Sequence, residues 1–164
     1  MKKILLMAAM VLGFAVAADA QGWRLGARVG SGFQAQAEYS YNGSNYIEAR
    51  FGMGWASLAG ALSADFTALH NWNVCTMDWT PSAGQWFFDA GVGVTVGGRE
   101  NIANVGLAGC AKLGIEFNDA PVRLSLDFTP AFGPAILYVP GFGSDVAFNE
   151  YNIANLGISA VFCF

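Results

Sequence analysis

Residues 112–128 read KLGIEFNDAPVRLSLDF, two alternating runs of apolar and polar residues separated by a turn. Leu113, Ile115 and Phe117 alternate with Lys112, Gly114 and Glu116; beyond Asn118-Asp119-Ala120-Pro121, Val122, Leu124, Leu126 and Phe128 alternate with Arg123, Ser125, Asp127 and Thr129. Successive side chains of a strand point to opposite faces, so each run predicts a strand with one apolar and one polar face. The Asn-Asp-Ala-Pro turn folds the two into an antiparallel hairpin. Opposed residues across a hairpin share a constant index sum. Pairing Phe117 with Val122 sets Glu116 opposite Arg123 and Lys112 opposite Asp127, two complementary pairs from one register.

The same period extends in both directions. Upstream, Trp23 to Gly30, Phe33 to Tyr41, Tyr46 to Trp55, about Leu62 to Val74 and Gln85 to Val96 alternate in turn. Downstream, Ala154, Leu156, Ile158, Ala160, Phe162 and Phe164 alternate with Asn155, Gly157 and Ser159. Asn42-Gly43-Ser44 and Thr80-Pro81-Ser82-Ala83-Gly84 are turns by composition, and a polar loop is expected around Arg99 to Asn104. The total is eight strands. Two further registers place charges together: a hairpin centred on Ser31 opposes Arg24 to Glu38, and the Arg99–Asn104 connection opposes Asp89 to Lys112.

The chain is 54% hydrophobic and 12% charged, against a usual charged share of about 25%. No segment after residue 20 has the apolar length of a membrane-crossing helix, because Gly, Asn, Gln and charged residues break every run. A closed barrel is the other structure that satisfies its backbone within a bilayer. Lumen volume decides which face is inside. Eight strands enclose room for side chains or one small ligand, and the apolar face carries Trp, Phe, Tyr and Leu on strand after strand, whereas the polar face is rich in Gly and in opposite charges. The polar face therefore belongs inside, where Arg24, Arg28, Glu38, Glu48, Arg50, Asp65, Asp89, Lys112, Glu116, Arg123 and Asp127 are expected to form an ionic network that blocks free diffusion. Aromatics at strand ends, among them Trp23, Tyr39, Tyr41, Trp55, Trp72, Trp86, Phe128 and Phe164, suit the two interfaces of a bilayer.

Residues 1–20 have the parts of a secretory signal: Lys2 and Lys3, the apolar run Ile4 to Ala17, and the cleavage pattern Ala18-Asp19-Ala20. Cleavage is expected between Ala20 and Gln21, leaving residues 21–164 as the barrel domain. Removing Lys2, Lys3 and Asp19 shifts the net charge from −4 to −5, and no basic patch suggests nucleic acid. Cys75, Cys110 and Cys163 show no metal spacing, and all three take lumen parity on non-neighbouring strands as free thiols.

The final strand ending Phe162-Cys163-Phe164 resembles the terminal signature by which outer-membrane barrels engage their assembly machinery. With Tyr39 to Tyr46 around a short turn, residues 86–93 (WFFDAGVG) and residues 121–128 (PVRLSLDF), residues 21–164 are similar to the small OmpX-type and OmpA-type outer-membrane β-barrels. That signature usually has Gly about five residues before the last aromatic, whereas this chain has Ser159 there and Gly157 one dyad earlier. The resemblance implies an all-β, eight-stranded antiparallel transmembrane barrel in a bacterial outer membrane, with lipid and the assembly machinery as partners. Both ends and the turns at 42–45, 80–84 and 118–121 would then be periplasmic, and loops at 30–32, 56–60, 97–104 and 133–149 would face outward.

No catalytic constellation is expected, nor a cofactor or metal. His70 is the single histidine and takes the apolar face beside Trp72, away from any inward acid. Asp65 and Asp89, flanked by Arg and Lys, read as structural acids. Gly91-Val92-Gly93 and Gly97-Gly98 fall short of a nucleotide-binding pattern. The loop from Gly133 to Asn149 is apolar enough to bind a partner, with Tyr138, Phe142 and Phe148 as candidate contacts, or it continues strands seven and eight past the membrane. A monomer with a structural or adhesin-like surface role is the leading expectation; a lipid-handling or ligand-handling barrel, or an outer-membrane enzyme, is the alternative.

Overall fold

In the computed structural model the described residues are 22–55, 57, 63–139, 143–149 and 154–164. The expected cleavage point at Ala20 and Gln21 and the candidate contact Phe142 lie outside them, as does most of the 56–60 loop. Among the described residues there are ten strands: β1 (Trp23–Val29), β2 (Gly32–Ser40), β3 (Asn45–Gly54), β4 (Ser63–Met77), β5 (Gly84–Arg99), β6 (Ile102–Phe117), β7 (Val122–Phe128), β8 (Ala131–Val139), β9 (Gly143–Asn149) and β10 (Leu156–Cys163).

Consecutive antiparallel pairing runs from β1 to β6, β6 pairs with both β7 and β8, and β10 joins β7 to β1. The sheet is therefore a closed antiparallel barrel of eight strands, with β7 and β8 as one barrel strand and β9 and β10 as another. The break at Thr129-Pro130 follows from proline chemistry, since Pro130 has no N–H to give the ladder. Its carbonyl still accepts the Gly109 N–H at 2.9 Å, which keeps β8 aligned on β6.

All three charge-pairing registers are present: Arg24 opposite Glu38, Asp89 opposite Lys112, and both Glu116–Arg123 and Lys112–Asp127. Asn42 builds its turn as expected, its Oδ1 accepting the Asn45 N–H at 2.7 Å while Gly43 adopts φ 77°. The 97–104 segment is a correction. Instead of a loop, β5 and β6 pair as far as Arg99 and Ile102 and leave a two-residue turn, with Glu100 at φ 46°. In the apolar 133–149 segment the described residues are strand, β8 pairing with β9 from Gly133–Asn149 to Val139–Gly143, as in the reading that continues strands seven and eight through it. It projects as a hairpin from the end of the barrel opposite Gly22 and Phe164.

Cys75 is the other correction. β4 carries a bulge between Asn73, which opposes Asp89, and Cys75, which opposes Phe88. The extra residue, Val74, reverses the parity, so Cys75 is exposed on the outer face while Cys110 is buried in the lumen. All three cysteines are free thiols.

The two faces have opposite polarity to a soluble barrel. Leu107 is 70% exposed and Leu126 54%, whereas Lys112 is 2% exposed and Arg28, Glu48, Asn71 and Asp89 are fully buried. Aromatic pairs flank the barrel at the terminal end, Trp23 with Tyr39 and Trp79 with Trp86, and at the far end, Phe33 with Trp55.

Candidate functional site

The strand period delivers every inward charge to one narrow lumen, and the side chains there form a continuous plug. At its centre the Lys112 ammonium lies 3.0 Å from Glu38 Oε1 and 2.7 Å from Glu48 Oε2. Glu48 also accepts from Asn71 at 2.8 Å and pairs with Arg50. Toward the far end, Asp127 gathers Arg28 Nε at 2.7 Å, Arg50 Nη1 at 3.4 Å, Ser159 Oγ at 2.7 Å and Thr129 Oγ1 at 3.1 Å. Toward the terminal end, Arg24 pairs with Glu38 at 2.7 Å, and Asp89 accepts from Arg123 at 2.6 Å, Tyr46 at 2.8 Å and Asn73 at 2.8 Å. Buried charges are stable only when paired and hydrogen-bonded, and each of these carboxylates has several donors.

The strand registers are those the sequence predicts, yet Lys112 pairs with neither Asp89 nor Asp127, the two residues opposite it. Side-chain length explains the exchange. A lysine rooted on the wall reaches the barrel axis, where it meets Glu38 and Glu48 from the opposite wall. The shorter aspartates stay at the wall and are claimed by arginines. Glu116 is exposed and makes no ion pair among the described residues, because Arg123 turns to Asp89 and lies with its guanidinium carbon 3.5 Å from the Phe87 ring centroid. Asp65 also has no cation within ion-pair distance among the described residues and accepts instead from the Gln34 amide.

Two lumen aromatics escaped the sequence reading. Tyr46 and Phe87 are buried inside, and Tyr46 presents its ring to Arg24, with the guanidinium carbon 4.7 Å from the centroid. Parity held the signal, since Tyr46 lies two residues before Glu48 and Phe87 two before Asp89. Gly157 has its explanation here too. It is inward, and a Cβ on it would overlap the Arg28 guanidinium that binds Asp127. Gly157 thus leaves room for a lumen arginine.

The plug separates two cavities with no lining residue in common. One, of about 340 Å³, opens at the far end and includes Gln34, Asp65, Thr67, Thr95, Gly97 and Asn104 in its lining. The other, of about 140 Å³, lies at the terminal end around Arg24, Tyr46, Phe87, Glu116 and Arg123. Between them stand Glu38, Glu48, Arg50, Leu69, Asn71, Lys112 and Asp127, all nearly or fully buried.

Neither a protein-family model nor a curated protein matches this chain.

The remaining candidates do not converge on one site. His70 is on the outer face, with Nε2 against the Tyr41 hydroxyl and its ring edge-on to Trp72 at 4.7 Å. The barrel wall separates it from every buried carboxylate. Asp65 and Asp89 sit at different levels, one lining the far cavity and the other within the plug. Tyr138 lies in β8 opposite Ser144, and Phe148 is 81% exposed on β9. Phe162 and Phe164 meet at a tilt near the chain end, with centroids 5.0 Å apart.

Proposed function

We propose that this chain is an integral outer-membrane barrel of the small OmpX-type or OmpA-type class, plugged rather than porous, with a structural or adhesin-like role exerted through its far end. One observation carries the reading: large apolar side chains cover the outside while the charges are enclosed. A water-soluble monomer rarely leaves a contiguous apolar surface beyond a few hundred Å², yet here Phe51, Phe66, Val94, Leu107, Leu126 and Ile158 are exposed on the outside of β3, β4, β5, β6, β7 and β10. Lipid is the solvent that such a surface matches. Within the plug, Arg24, Arg28, Arg50, Lys112 and Arg123 pair with Glu38, Glu48, Asp89 and Asp127, so these enclosed charges compensate one another.

In this reading the terminal end is periplasmic and the β8–β9 hairpin is outside the cell, with Ile136, Leu137, Val146 and Phe148 exposed for contact. Lipid and the assembly machinery are the partners, Phe162 and Phe164 serving as the assembly signal. The chain works as a monomer without cofactor or catalysis. Fractionation tests the location: the processed product is expected with the outer membrane and resistant to carbonate extraction. Recovery in the soluble periplasm would defeat the proposal and make a ligand-binding barrel the better account.

A further inference from the structure

One row of the barrel carries an unfinished polar site. Reading across the strands at a single level, Gln34 opposes Gly52, Gly52 opposes Asp65, Asp65 opposes Gly97, and Gly97 opposes Asn104. Opposed residues share a face, so all five point inward at the far end. On one side of Asp65 the gap over Gly52 is bridged: Arg28 Nη1 donates to Gln34 Oε1 at 2.9 Å, which fixes the amide so that Nε2 donates to Asp65 Oδ2. On the other side the gap over Gly97 has no bridge. Asn104 faces Asp65 across it with Oδ1 buried and without a hydrogen-bond partner among the described residues. Asp65 receives only the Gln34 amide and has no cation within ion-pair distance among them.

Both Asp65 and Asn104 line the far cavity of about 340 Å³, and so do the hydroxyl-bearing Thr67 and Thr95 one row deeper. The exposed Arg99 also lines it, one dyad from Gly97 on the same strand. Arg28 and Arg50, the next cations inward, are taken by Asp127 and Glu48. A buried acceptor without a donor is costly. A carboxylate and an amide oxygen on either side of a glycine gap are completed by a group that is positively charged and carries several N–H donors.

We infer that the far cavity is a binding site for a small molecule bearing a primary ammonium group, seated over Gly97 between Asp65 and Asn104. The cavity volume limits it to a small molecule, and the plug beneath makes the site a blind cup entered from the far end. This site requires the folded barrel and does not depend on which membrane holds it.

The test is a titration of the refolded full barrel in detergent micelles with butylammonium chloride, followed by amide chemical shifts, with butan-1-ol and sodium chloride as parallel arms. Saturable shifts are expected at Gly97, Thr95 and Asn104 with butylammonium alone, at an affinity on the order of millimolar. Asp65→Asn is expected to weaken the titration at least tenfold. Asn104→Ala, outside the ion network, should weaken it severalfold while the remaining resonances stay in place. Equal shifts with butan-1-ol, no saturation, or unchanged affinity in Asn104→Ala in a barrel that still folds would overturn the inference. In those cases water completes the row.

Discussion

Lys112→Met is expected to destabilise the barrel by about 3–5 kcal/mol, the range for removing one partner from a buried ion pair. The Lys112 ammonium is the sole cation bridging Glu38 and Glu48 among the described residues, and both carboxylates are at most 3% exposed. Methionine keeps the volume but leaves two carboxylates facing each other without it. Glu48 retains Arg50 and Asn71, and Glu38 retains Arg24 and the Gln36 amide, so the barrel should still assemble. A second substitution separates charge from packing. Glu38→Gln in the Lys112→Met background removes one of the two stranded charges, and Arg24, nearest the terminal mouth, can turn to water. The double variant is expected to recover about 1–2 kcal/mol, the scale of coupling between contacting groups. Urea unfolding in lipid vesicles, followed by tryptophan fluorescence, measures both. Additive losses would mean that the plug is packing without electrostatic coupling.

Leu126→Arg should be nearly as severe, at about 2–4 kcal/mol, the cost of an arginine on the lipid face near mid-depth. Leu126 lies between Ser125 and Asp127, which are both buried, and is itself 54% exposed. In water the same change would relieve an exposed leucine and cost close to nothing. The two solvents thus predict different results for one substitution, read from unfolding midpoints in bilayers. The equivalent inward exchange does not discriminate, because any new lumen charge disturbs the plug in either solvent.

These residues also show how much was legible in advance. The faces of Val122–Phe128 follow from period two alone, and the three charge registers follow because a hairpin has one index sum once its centre is placed, even where the turn itself was expected to be longer. Ion pairing across the lumen was not legible, because it depends on how far each side chain reaches from the wall. Lys112 spans the lumen; Asp127 does not. The bulge after Asn73 adds one residue with no turn chemistry to announce it, and so Cys75 was assigned to the wrong face. Gly133, Pro134 and Gly143 gave the far segment the composition of a loop, although β8 continues on β6 beyond Pro130. Tyr46 and Phe87 had the right parity for the lumen but the wrong polarity, since they serve as platforms for arginines and not as charges. The far cavity was invisible in sequence for a related reason: Asp65, Gly97 and Asn104 form a row only after three strands are in register.

In the proposed arrangement the apolar face meets acyl chains while the charged face is sealed inside. Paramagnetic relaxation in phospholipid nanodiscs tests it directly, with a nitroxide near the end of the lipid acyl chain. Strong broadening is expected for the methyl signals of Leu126, Val94 and Leu107, and weak broadening for the side chains of Lys112 and Arg50. Strong protection of those methyls, with broadening by a water-soluble nitroxide in place of the lipid one, would contradict it.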